Sequence, residues 1–91
     1  MTAAAAGAAK AMPKDFRVSI TNAPGADSYP ISSFTWLLVY QNQKDKAKGK
    51  ILTDFMHWML TDGQKYCAAL GYAPLPKEVV ALEEAAIGKV K

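Results

Sequence analysis

The stretch Ser28-Tyr29-Pro30-Ile31-Ser32-Ser33-Phe34-Thr35-Trp36-Leu37-Leu38-Val39-Tyr40 is the longest run of strand-forming residues in the chain. A Pro24-Gly25 turn precedes it and a charged loop follows it. Side chains alternate faces along a strand, so Phe34, Trp36, Leu38 and Tyr40 share one face and Thr35, Leu37 and Val39 the other. Both faces are mostly apolar. That pattern predicts a strand over 31–40 covered on both sides. Such a strand needs neighbours at both edges and layers above and below.

Upstream, Phe16-Arg17-Val18-Ser19-Ile20-Thr21 alternates apolar and polar residues, which predicts a half-buried strand over 16–21. Asn22 to Asp27 is a turn segment, with Pro24-Gly25 suited to a type II turn. The Ala-rich start predicts a short helix over 2–12, because alanine is the best helix former and Pro13 lies beyond its end. Its small side chains let another backbone pack closely. The same start makes a poor signal peptide, lacking a basic n-region and a Leu-rich h-region.

Downstream, the period becomes helical. Ile51, Leu52, Phe55, Met56, Met59 and Leu60 form an apolar stripe that predicts a helix over 46–60 buried on one face. Thr61 and Gln64 fit a capping box, so a second helix is expected over 62–70, with Gly71 as its C′ residue, the alternative being one helix kinked through Gly63. Tyr72-Ala73-Pro74-Leu75-Pro76 is an extended link. Pro76 suits the first turn of a last helix over 76–90, with Val79, Val80, Leu82, Ala86, Ile87 and Val90 on its apolar side. Glu78 in the first turn and Lys89 and Lys91 at the end match the helix dipole. The elements make an α/β chain of two strands and four helices.

Composition narrows the function classes. The chain has 91 residues, 51% hydrophobic and 21% charged, with net charge +3. This is a globular composition of the size of one small domain or a part of one. No apolar run reaches the about 18 residues that span a bilayer. The basic residues cluster only at Lys44, Lys46, Lys48 and Lys50, around Asp45, which reads as a solvated loop and helix start. A nucleic-acid binder would gather its charge on one face, so no nucleic acid is expected as partner. A single cysteine, Cys67, excludes an internal disulfide and reads as a small hydrophobe on the apolar stripe.

The residues give no catalytic constellation, and no enzyme is expected. His57 is the only histidine, with just Asp54 near ligand spacing, so no metal site is expected. Ser32 and Ser33 lack the glycine elbow of a nucleophile. Phosphate loops of the P-loop and dinucleotide types are absent, and no cofactor is implied. Glu83 and Glu84 read as a solvated helix face, and Trp36 and Trp58 as core. Free backbone N–H groups at Thr61–Gln64 and near Lys77 are the only anion-holding features, and most helix N-termini hold only water or a cap.

Five stretches in order carry a family resemblance. They are Asp15 to Gly25, Tyr29-Pro30-Ile31, Phe34 to Tyr40, Asp62-Gly63-Gln64-Lys65-Tyr66, and Gly71-Tyr72-Ala73-Pro74-Leu75-Pro76. Together they resemble the C-terminal segment of the phosphate-binding protein of the bacterial phosphate ABC transporter. The resemblance implies a two-lobed periplasmic-binding-protein fold, of which residues 1–91 would form a single partial domain. It implies phosphate capture for import, with inorganic phosphate and the membrane permease as the parent's partners and a periplasmic or extracytoplasmic location. Family members hold the anion without a metal, by residues upstream of this segment, so no phosphate-binding residue is carried over. The alternative from another class is a stand-alone structural or self-associating interaction module.

Overall fold

The computed structural model describes residues 1–91 and contains three α-helices and no β-strand. Helix α1 spans Thr2–Ala8 and tightens into a 3-10 turn at Ala9–Ala11. Helix α2 spans Lys46–Leu60 and α3 spans Lys77–Ile87. Between them lie 3-10 segments at Asp62–Tyr66 and Ala68–Leu70.

The α/β assignment is therefore corrected: neither 16–21 nor 31–40 is a strand. Over 16–21 the alternation itself is present. Ile20 is buried, Phe16 and Val18 are half-buried, and Arg17, Ser19 and Thr21 are exposed. What is missing is a ladder. Phe16 stands at φ +62°, in the left-handed region, and closes a turn onto the Pro13 carbonyl at 3.0 Å, which breaks the extended course where the strand would begin. One backbone hydrogen bond, from Asn22 N–H to the Pro30 carbonyl at 2.7 Å, joins this segment to the next. From Ile31 to Tyr40 no backbone N–H donates to another backbone group. A strand exists by pairing, and no other length of this backbone lies in register with 31–40.

The helices follow the sequence more closely. Asp45 caps α2, its carboxylate accepting from the Ala47 and Lys48 N–H groups at 3.0 and 3.1 Å. The segment 62–70 is two 3-10 pieces rather than one α-helix, and the expected capping box does not form. The Thr61 hydroxyl instead donates back to the His57 carbonyl at 2.8 Å, closing the end of α2. Gly71 follows at φ +81°, as a helix-ending residue in the left-handed region should. Helix α3 stops at Ile87, so Lys89 and Lys91 lie beyond it. The Lys91 N–H bonds the Gln41 carbonyl at 2.7 Å, which ties the end of the chain to the loop before α2.

Packing is confined to small patches. Ala4 and Ala8 of α1 bury Ile20, with Ala23 and Phe34 beside them. The close approach expected of the Ala-rich helix is present, since a Cβ on Gly7 would stand 2.9 Å from the Pro24 carbonyl oxygen. Helix α3 packs on both α1 and α2, where Val79, Ile87 and Met56 are buried. Only ten of the 91 residues are buried, too few for a continuous core. The stripe on α2 is only partly covered, with Ile51 70% exposed. The accessible surface is 6853 Å². A compact monomer of this mass exposes about 5,200 Å². The radius of gyration, 14.0 Å, likewise exceeds the roughly 12 Å of a compact chain of this length.

Candidate functional site

The hydroxyls nearest the extended segment are already engaged. Ser32 is buried and donates to the Tyr29 carbonyl at 2.8 Å, while Ser33 donates to the Phe34 carbonyl at 3.1 Å. Local turns hold both, and neither has a base beside it. The two helix starts carry carboxylates, Asp62 in one and Glu78 in the other, which oppose an anion at those N–H groups. The lysines at 44, 46, 48 and 50 are all exposed, and Lys50 pairs with Asp54 at 2.7 Å.

His57 and Glu84 are brought together, which the sequence did not indicate. Nδ1 of His57 on α2 lies 2.5 Å from Oε2 of Glu84 on α3. They are 27 residues apart, and only the crossing of the two helices makes them neighbours. Both are partly exposed, and no third His, Cys, Asp or Glu joins them as a metal cluster. Glu83, the next residue, turns instead toward a narrow cleft with Phe16, Phe34, Trp36 and Val79. Burial there raises its carboxyl pKa above the ordinary value. Glu83 and Glu84 are thus not a simple solvated face. The cleft has room for about one water, so it is a seam rather than a ligand pocket.

An open groove of about 640 Å³ lies between the end of α2 and the 3-10 segments. Phe55, Trp58 and Tyr66 line it in sequence, with ring centroids 5.9 and 6.1 Å apart. Trp58 is therefore not a core residue, being 44% exposed. Gln64 organises its floor: Nε2 donates to the Met59 carbonyl and Oε1 accepts from the Leu75 N–H, both at 2.7 Å. The half-buried Cys67 thiol lies 3.9 Å from the same Oε1. The groove is almost wholly apolar and offers no charged group to an anion.

The extended segment is the other unpartnered surface. Leu38 is 97% and Tyr40 85% exposed, and Ile31 and Leu37 are also exposed. Trp36, expected in the core, is 46% exposed, and its indole donates to the Phe16 carbonyl at 2.8 Å. The strand expected to be covered on both faces is bare over most of its length.

Comparison with known proteins gives a consistent relationship. The phosphate-binding protein PstS of Xylella fastidiosa is 40% identical over 83 residues, 91% of this chain and 23% of that protein. PstS of Methanocaldococcus jannaschii is 41% identical over 75 residues, 77% of this chain and 19% of that protein. PstS of Pasteurella multocida is 31% identical over 63 residues. No family model matches the chain, and no solved structure does. The residues that carry the resemblance, from Asp15 through Pro76, fall within a chain that spans about a quarter of the length of these relatives. By sequence, the chain is similar over nine-tenths of its own length to a segment of the PstS phosphate-binding proteins.

Proposed function

We propose that residues 1–91 form a single partial domain, the C-terminal segment of a phosphate receptor that serves ABC-transporter-mediated phosphate import. The observation that carries this is the 40% identity over 91% of the chain against 23% of the relative. The relatives are named as binding proteins and not as enzymes. The parent works outside the cytoplasm, with inorganic phosphate as ligand and the membrane permease as partner. This segment contributes architecture, and the phosphate ligands lie elsewhere in the parent. The bare apolar surfaces and the thin core support that division, because a self-sufficient domain buries more of its apolar side chains.

Two measurements test it. Calorimetry of the isolated chain with inorganic phosphate is expected to show no saturable binding in the millimolar range; tight saturable binding would overturn the division of labour. A chimaera in which residues 1–91 replace the matching segment of Xylella fastidiosa PstS is expected to bind phosphate. A chimaera that folds but does not bind would sink the assignment.

A further inference from the structure

We propose that the lysines at the start of α2 and just beyond the end of α3 form one basic surface that docks on an anionic phospholipid membrane. This goes beyond the phosphate reading and does not rest on it.

The fold gathers charge that the sequence keeps apart. Lys44, Lys46, Lys48 and Lys50 lie far from Lys89 and Lys91 in the chain. Backbone hydrogen bonds join the two segments. The Lys91 N–H donates to the Gln41 carbonyl at 2.7 Å, and the Gln43 N–H donates to the Lys91 carbonyl. Gly49 is buried, and a Cβ there would stand 2.9 Å from that of Gln43, so the loop lies closely on the start of α2. Residues 41–50 and 88–91 thus hold six of the 11 Lys and Arg residues but only one of the eight acidic ones. The rest of the chain has more acidic than basic side chains.

This charge has no partner within the fold. All six lysines are exposed. Lys50 pairs with Asp54, and no ion pair holds the other five. Asp45, the one acid among them, accepts from the Ala47 and Lys48 N–H groups, so the carboxylate closes the helix start and leaves no anion site on its backbone. The first turn of α2 contains no acidic residue. Lysines there oppose the positive end of the helix dipole. Natural chains break local rules of this kind at functional sites, and an anionic partner removes the repulsion.

Composition selects the partner. The two segments contain no arginine and no aromatic residue. Protein interfaces are enriched in both and depleted in lysine, and single strands of nucleic acid are held on aromatic platforms. No lysine lines the narrow cleft or the open groove, so no pocket holds a single anion among these side chains. Dispersed ammonium groups suit the diffuse field of an anionic bilayer, where each adds about fivefold to partitioning. The surface also differs in kind from the bare apolar segment 31–40. Lysine is almost never fully buried, so the remainder of a longer protein would leave these side chains to solvent.

The test is co-sedimentation of the 91-residue chain with vesicles of phosphatidylcholine mixed with phosphatidylglycerol, against vesicles of phosphatidylcholine alone. Binding is expected to the anionic vesicles only, and to vanish in about 1 M salt, where the screening length falls to about 3 Å. Lys46→Gln with Lys48→Gln and, independently, Lys89→Gln with Lys91→Gln are expected to weaken partitioning about tenfold or more, at about fivefold per charge. Arginine at either pair of positions keeps it. Lys10→Gln with Lys14→Gln removes the same charge from exposed positions outside the cluster and leaves partitioning unchanged. Helix content by circular dichroism is expected to be the same in all. Absence of binding to the anionic vesicles overturns the proposal. So does equal binding to neutral vesicles, which would report insertion of the apolar segment, or an equal loss in the Lys10 and Lys14 variant, which would report net charge alone. Release by inorganic phosphate beyond that caused by chloride at equal ionic strength, or tighter binding to duplex DNA or polyglutamate than to the vesicles, would overturn it as well.

Discussion

The indole Nε1 of Trp36 donates to the backbone carbonyl of Phe16 at 2.8 Å. Phe16 stands at φ +62°, so its carbonyl is turned out of the line a strand would follow and toward the indole. A side chain thus joins two extended segments that a ladder would otherwise join. Trp36→Phe keeps an aromatic ring against Phe34, whose centroid is 6.4 Å away, and removes only the donor. The expected loss is about 1 kcal/mol, the net worth of one such bond. It would be read as a lower urea midpoint with an unchanged slope.

Gln64 holds both ends of its carboxamide in use, on Met59 and on Leu75. These bonds tie the end of α2 to the proline-rich link before α3. Gln64→Ala strands a carbonyl and an N–H together, for an expected cost of about 1–3 kcal/mol. Gln64→Glu keeps an acceptor for Leu75 but sets a carboxylate against the Met59 carbonyl, so it too should destabilise. Faster amide exchange at Leu75 in both variants is the specific readout. Unchanged exchange there would count against the bridge.

Helices were legible in this sequence because their signals are local. Gly71 as terminator and the Ala-rich start each act within a turn or two, and each stands where the pattern put it; the Asp45 cap, equally local, is not singled out by the pattern. Strands are made by partners, and the residues of 31–40 show what they could pair with but not whether it is there. The apolar alternation of 16–21 correctly gave the inward face, Phe16, Val18 and Ile20, while the pairing it suggested is absent. The same limit hid the meeting of His57 with Glu84 and the burial of Glu83, which depend on how α3 lies across its neighbours. The capping box failed for a local reason: the Thr61 hydroxyl found the His57 carbonyl first.

Glu83 gives a pH dependence with a definite sign. Burial raises its folded-state pKa above the ordinary glutamate value of 4.5. The folded chain therefore holds this proton more tightly than the unfolded one. Its contribution is most favourable below the unfolded pKa and is lost as pH rises through the folded pKa. At neutral pH the ionised carboxylate is a net burden on the cleft beside Val79. Glu83→Gln is expected to stabilise the chain at pH 7 and to flatten the fall in stability above pH 4.5. Urea midpoints at acidic and neutral pH check it; a variant less stable than the parent at pH 7 would show that the charge has a partner.

Two glycines separate the cost of backbone conformation from the cost of contact. Gly71 stands at φ +81°, and a Cβ there would meet nothing within 4 Å. Gly71→Ala should therefore carry only the left-handed penalty, about 1 kcal/mol. Gly7 is the opposite case. It lies inside α1 with helical backbone, so alanine gains about 0.8–1 kcal/mol of helix propensity. Its Cβ, however, would stand 2.9 Å from the Pro24 carbonyl oxygen, a backbone atom that cannot rotate aside. Overpacking of that kind costs about 1–3 kcal/mol, which outweighs the propensity. Gly7→Ala is expected to lower the urea midpoint and to loosen the contact of α1 with the 22–25 turn, while the helical signal of α1 itself is kept. If it stabilised the chain instead, propensity alone would govern the site, and α1 would not be resting on Pro24.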